Sequence, residues 1–313
     1  MHLKELIEII HIDSTDTLEK VFTTDLNVNT SLPRHKKFLK FIDGYVVSIV
    51  VEKKYIDKDY RSMYSNYYSK VFKHYDRFVK RVHFFSRKIP GKEIFNLDNY
   101  QDSYIGFCTV FNLNISCIGK TVFDHKKLGK TYYVLGHDFE VEVFGKVLSV
   151  HGFPFSQQDT NVMVCAHTSL WMVLRYYSSK YSEYKEVYPF QINSQTKDLR
   201  FGRHLPSKGI TVHQICEIIA SNNFHPEYYS KKTYEVVQFE KIIYRYVESG
   251  IPVIATTKNH AVVIIGHTCK KNGISEAEAK IICENELKKM KEKRPYANIK
   301  CGYLSSYYLQ ESM

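Results

Sequence analysis

The sequence of 313 residues lacks several features that would place it in a class at once. No apolar run approaches the ~18 residues that a membrane span requires, so no membrane partner is expected. The opening stretch, MHLKELIEIIHIDSTDTLEK, has neither the basic start nor the small-residue cleavage site of a secretory signal. The seven cysteines are odd in number and no two are spaced as C-x-x-C. That spacing argues against a zinc ribbon and against a disulfide framework. The expectation is a cytoplasmic protein with reduced thiols, needing no cofactor and no metal. There are no internal repeats, no low-complexity segment and no recognisable nucleic-acid-binding motif.

What is present is ordinary in bulk and unusual in detail. Hydrophobic residues make up 44% and charged residues 25%, with 25 Tyr and 19 Phe against the single Trp171. The formal net charge is +11. A basic surface favours acidic partners or nucleic acid. Here, though, the lysines are scattered among tyrosines rather than gathered in a block, which favours a plain solvated surface. The length suits two domains of roughly 100–200 residues each, and the HGFPFSQQD loop is the natural boundary. Residues 1–150 are expected to form a mixed α/β domain and residues 151–313 an α+β domain.

Local patterns give the elements. LKELIEII reads as a short amphipathic helix, and GYVVSIVVEKKYI after Asp43-Gly44 reads as a strand. DKDYRSMYSNYYSKVFKHYDRFVKRVHFFS recurs in aromatics at helical spacing, through Tyr60, Met63, Tyr64, Tyr67, Tyr68, Val71, Phe72, Tyr75 and Phe78, predicting a long helix with an aromatic core face. SYIGFCTVFNL, KTYYVLGHDFEVEVFG and KVLSVHGFPF are strand-like, with turns at Gly136 and Gly145. Helices are expected in CAHTSLWMVLRYY, in PSKGITVHQICEIIASNNF and in YEVVQFEKIIYRYVESGIP. The last of these closes on Gly250 and Pro252, in the usual C-terminal order. PVIATTKNHAVVIIGH gives two strand segments around Lys258-Asn259, and SEAEAKIICENELKKMKEKRP a charged amphipathic helix.

One cysteine sits where chemistry would place it. Cys165 falls at the point where the turn-formers of TNVMVCAHTSLWMVLRYY give way to a helix. A helix N-terminus favours the thiolate, and its unpaired N–H groups can receive an oxyanion. A buried structural cysteine is the plainer reading of that stretch alone. Downstream, KNHAVVIIGHT sets His260 at the edge of an apolar strand, where a base can face a thiol on a helix tip. Gln158, Cys165 and His260 follow one another in that order, the histidine 95 positions after the cysteine.

These segments resemble the papain-like cysteine peptidases. NHAVVIIGH is similar to that superfamily's histidine strand. CAHTSLWMVL and VESGIPVIATTKNHAVVIIGH resemble its compact members that trim bacteriocin leader peptides. The resemblance covers roughly residues 151–268. It implies a papain-like fold acting on a peptide or protein substrate, with Cys165 as nucleophile, His260 as general base and Gln158 as side-chain donor to the oxyanion. The family usually carries this Gln six residues before the Cys, whereas Gln158 lies seven before, followed by Asp159. Either the loop holds one extra residue, or Gln157 or a backbone N–H takes the role. The acid or amide expected to orient His260 has no D-P or N-S-W-type strand to carry it. Asn272, Glu276 and Asn298 are weak candidates, and the expectation is that no acid in 261–300 serves. A metal set of His260, His267 and Cys269 lacks a fourth ligand of sensible spacing. The closing stretch NIKCGYLSSYYLQESM is aromatic and contains no Asp, which reads as the end of a fragment or of a naturally truncated chain. Two alternatives stay open: a Cys-dependent acyltransferase, and a catalytically dead module binding a protein or nucleic acid.

Overall fold

The computed structural model describes residues 5–113, 116–130, 132–195, 209–230, 232–257 and 260–267. The described chain mixes both element types, as an α+β protein does. In the first 150 residues the order is β1 (Ile7–His11), α1 (Thr15–Lys20), α2 (Pro33–Ile42), β2 (Ser48–Tyr55), α3 (Lys58–Asn66), β3 (Val79–Phe85), β4 (Tyr104–Phe111), β5 (Cys117–Phe123), β6 (Tyr133–Val134), β7 (His137–Val143) and β8 (Lys146–Gly152). Then come α4 (Cys165–Lys180), α5 (Pro189–Ser194), α6 (Val212–Ser221), α7 (Val236–Glu248), β9 (Val253–Thr256), β10 (Ala261–Ile264) and β11 (Gly266–His267). Strand β8 runs through residue 150 to Gly152.

Strands β1 to β5 form one antiparallel sheet in sequence order. Where the helix LKELIEII is expected, Ile7–His11 form the edge strand of this sheet. Ile7 and Ile9 pack into the apolar layer on one face, Ile10 and Ile12 into the layer on the other. An isoleucine run that loads both faces at a period of two suits a strand, and pairing with β2 overrides local helix preference. The long aromatic helix is also shorter than expected. Its helix α3 stops at Asn66, a short 3-10 turn follows at Tyr68–Lys70, Phe72 is fully exposed, and the end of the stretch, Val79–Phe85, is strand β3. Tyr60, Met63, Tyr68 and Tyr75 do reach the core. The expected charged helix at 275–295 lies outside the described residues.

One face of the sheet is covered by the β7–β8 hairpin, through Phe139, Val141, Leu148 and Val150. The other face carries the helices in a single core that holds Phe38, Phe84 and Phe111 together with Leu170, Trp171, Val173, Ala261 and Val263. Residues on both sides of position 150 therefore share one apolar interior. Backbone pairing crosses the same line: Thr121 bridges Phe155, and Gln157 N donates to Ile118 O (2.8 Å). Strand β6 pairs with β11, and Leu135 N donates to Ile265 O (2.8 Å).

Helix α4 is deeply embedded, with eleven of its residues buried from Ala166 to Tyr176. Two polar groups on it are matched from α3. Asp59 accepts from Trp171 Nε1 (2.9 Å) and from Arg175 (2.6 Å), and Arg175 also pairs with Glu186. Just before Asp59, burial and the neighbouring Asp59 charge push the Asp57 carboxyl up to about 6. His167, near the start of α4, is buried with no hydrogen bond to Nδ1, and burial pulls it down to about 4. Among the described residues, no helix is long and apolar enough to cross a membrane.

Two stability predictions follow from this burial. Asp59→Ala leaves the Trp171 N–H without its acceptor and Arg175 with one carboxylate fewer, at an expected cost of ~3–5 kcal/mol in urea unfolding. A cost below ~1 kcal/mol would show that the contact does not hold α4. His167 is neutral in the folded protein but titrates near 6.5 once unfolded. Between those two values the unfolded chain binds the extra proton, so stability is complete above pH ~6.5 and falls as the pH drops towards 4. Replacing His167 with Leu should remove that slope. The unfolding free energy of His167→Leu relative to wild type should rise by on the order of 2 kcal/mol between pH 7 and pH 4.5.

Candidate functional site

Cys165 is the first residue of α4 and is partly exposed. Val164 before it is extended (φ −104°, ψ 178°) and offers no capping side chain. The N–H groups of the first turn thus lack a side-chain cap, and the positive end of the helix lies at the thiol. The rest of α4 is anchored by its apolar burial, so the tip is held on a rigid element.

His260 is partly exposed and immediately precedes β10. Its carbonyl accepts from Thr257 N (2.7 Å) and Thr257 Oγ1 (3.3 Å), closing the turn between β9 and β10. Helix α4 packs along β10. Towards the C-terminus of α4, Tyr176 Oη donates to Gly250 O (3.5 Å), just ahead of β9. Strand β9 begins at Val253, which pairs with Ile264 at the far end of β10. Helix α4, which begins at Cys165, and β10, which begins just after His260, are thus packed neighbours.

The two glutamines have different surroundings. Gln157 is buried in pairing with β5: its Oε1 accepts from Ile118 N (3.0 Å) and lies 3.0 Å from Nε2 of buried His35. Its amide oxygen is committed to the fold. Gln158 is also largely buried, and its backbone carbonyl accepts from the Cys117 thiol (3.5 Å). Its side-chain amide has no hydrogen-bond partner among the described residues and is not sealed from solvent.

The link from Gln158 to Cys165 is tightly built. Asp159 is buried, and its Oδ1 accepts from Val162 N (3.1 Å) and Met163 N (2.6 Å). Its other oxygen accepts the hydroxyl hydrogen of Tyr68. Burial raises the Asp159 carboxyl above the usual carboxylate range, against the pull of its hydrogen bonds from Tyr68, Met163 and Val162. Thr160 stands at φ +67°, a costly conformation for a β-branched residue, and its N–H donates to Met163 O (3.2 Å). Asp159 and Tyr68 were not among the expected site residues. The Asp directly after the glutamine pair was the one local signal, and Tyr68 looked like any other member of an aromatic stripe.

His267, seven residues after His260, is buried at the other end of the strand, its Nε2 paired with Glu248 and its ring against Tyr133 and Tyr244. Among the described residues no group of three or more His, Cys, Asp or Glu side chains could hold a metal ion. Cys269 of the expected metal set and the orienting-acid candidates Asn272, Glu276 and Asn298 lie outside the described residues.

No curated protein and no solved structure matches the chain. The model of the Peptidase_C39 like family matches residues 150–298. That span takes in Gln158, the whole of α4 and the histidine strand, and it supports a cysteine peptidase-like domain in the C-terminal half.

Proposed function

We propose that the protein is a thiol hydrolase that cleaves a peptide or isopeptide bond, with Cys165 as nucleophile, His260 as base and Gln158 as oxyanion donor. The observation that supports this reading is a partly exposed cysteine at the first residue of a buried helix that packs against the strand following His260. His260 takes the thiol proton, and the sulfur attacks the substrate carbonyl carbon. The oxygen then bears the negative charge, between the Gln158 amide and the N–H groups at the start of α4. As the carbonyl re-forms, the C–N bond breaks and the imidazolium proton leaves with the amine, giving a thioester on Cys165. Water, deprotonated by the same imidazole, attacks the thioester, releasing the carboxylic acid and the free thiol. The separation of cysteine and histidine and the GIPVI…NHAVVIIGH segment favour the compact, leader-trimming group over papain proper.

Peptide hydrolysis should be assayed with a pool of peptidyl-aminomethylcoumarins. Cys165→Ala should reduce turnover by at least ~10³-fold with the fold intact. Iodoacetamide at limiting dose, read by peptide mass spectrometry, should label Cys165 first among the seven cysteines. Full turnover by the purified Cys165→Ala protein would end the mechanism. A labelling pattern without preference for Cys165 would favour a module that binds and does not react. Transfer of the acyl group to an added amine faster than to water would move the reading to an acyltransferase.

The glutamines give an independent check. Gln158→Ala should lower kcat by about 10²–10³-fold with little change in KM, because the oxyanion forms only in the transition state. Gln157→Ala should instead act on the fold, at a cost of ~1–3 kcal/mol from the unpaired Ile118 N–H. The reverse pattern would move the oxyanion role to Gln157.

A further inference from the structure

The contacts of the loop between Gln158 and Cys165 reach well beyond the C-terminal half. Asp159 gathers the Val162 and Met163 N–H groups with one oxygen and the Tyr68 hydroxyl with the other. The same hydroxyl receives Asn161 Nδ2 (3.4 Å), and Asn193 of α5 donates to Val162 O (2.6 Å). Tyr68 is itself immobilised: its ring is buried, stacked with Tyr60 and edge-on to Tyr67 and Tyr75. A hydroxyl fixed by three neighbouring rings thus meets a buried carboxylate 91 residues away in sequence. A loop that only had to connect β8 to α4 would need neither the buried carboxylate nor a threonine at positive φ. Both are costly, and both lie on the short stretch that joins the two groups whose separation matters most for an oxyanion.

We propose that Tyr68 and Asp159 are positioning residues, which set the distance between the Gln158 amide and the Cys165 thiol from the first half of the chain. The proposal rests on the thiol-hydrolase reading above. Loosening the loop leaves the thiol on its buried helix and the base on its strand, so nucleophile reactivity is retained. What is lost is the fit of the Gln158 amide to the oxygen as it gains charge. Misplacing such a group by about 1 Å costs up to ~10²-fold in rate. The expected signature is a fall in kcat with KM unchanged.

Tyr68→Phe keeps the ring contacts and removes only the hydroxyl. With the peptidyl-aminomethylcoumarin turned over best by wild type, it should lower kcat about 10–100-fold, with KM and the iodoacetamide rate of Cys165 each within about twofold of wild type. Asp159→Asn, which keeps an acceptor for the Val162 and Met163 N–H groups, serves as the second variant if Tyr68→Phe folds poorly, with the same expectation. Placed in a Gln158→Ala background, either change should cost less than about threefold further, because the group it positions is already gone. Wild-type kcat in both folded variants would overturn the proposal. So would a kcat loss that stays undiminished in the Gln158→Ala background, since the pair would then act through the fold in general. Cys165→Ala in the same assay separates the two levels. If it is inactive while Tyr68→Phe and Asp159→Asn turn over normally, the positioning role fails and the hydrolase stands. If it retains full activity, the hydrolase reading itself fails.

Discussion

The carboxylate of Asp59 accepts from the Trp171 indole and the Arg175 guanidinium, and that junction between α3 and α4 orients everything downstream. Helix α4 is buried on nearly all sides, and apolar contacts are non-directional. A helix in such surroundings gains about the same burial in several rotations about its axis. Slipping by one residue turns a helix by about 100° and shifts it by 1.5 Å along the axis. Either movement would re-aim Cys165 at the helix tip. The directional bonds to Asp59 select one rotation. A buried ion pair contributes little net stability compared with apolar residues of the same shape. Its value here is in register, because only one setting of α4 satisfies both donors at once.

The same logic extends to the rest of the first half. Its sheet supplies β5, onto which Phe155 and Gln157 pair, so the chain is already aligned when it reaches Gln158. Gln157 spends its amide oxygen on the Ile118 N–H, doing with a side chain what an adjacent strand would do with a backbone carbonyl. The neighbouring Gln158 amide is left without such a task. Two adjacent residues of one type thus divide into a structural and an uncommitted member, and the division is made by the sheet edge.

Much of this was legible in the sequence where the signal was local. Helices α4, α6 and α7 and strands β2, β4, β8, β9 and β10 follow from periodicity and from Gly/Pro punctuation. The cysteine at a helix start and the histidine at a strand edge could be read in the same way. The misreadings share a cause. LKELIEII has helical spacing over one short turn, and only pairing with β2 makes its residues from Ile7 onwards a strand. The aromatic stripe after Asp57 keeps its period past Asn66, yet the backbone leaves the helix there, and Tyr68 and Tyr75 reach the core from irregular segments. Tyr68–Asp159, Asp59–Arg175 and Gln157–Ile118 join residues that no local pattern relates, and a single sequence carries no signal for such pairs.

The histidine side of the site is framed in the same manner as the cysteine side. A base on a strand edge needs its backbone fixed along the strand and across it. Along the strand, the Thr257–His260 hydrogen bonds close the turn and set where β10 begins. Across it, β10 pairs with β9, and its continuation pairs with β6 from the first half. The far end is tied again by His267 and Glu248, which join the strand to α7. Strand position therefore depends on residues 133–135 as much as on the hairpin itself. An imidazole placed in this way has its location set by the backbone, while its tautomer is set by whatever its ring meets. Location governs whether a ring nitrogen can meet a thiol, whereas the tautomer governs how well the imidazolium is stabilised once formed. The two requirements are physically separable, and the part of the chain with no counterpart in the peptidase resemblance supplies supports for the first.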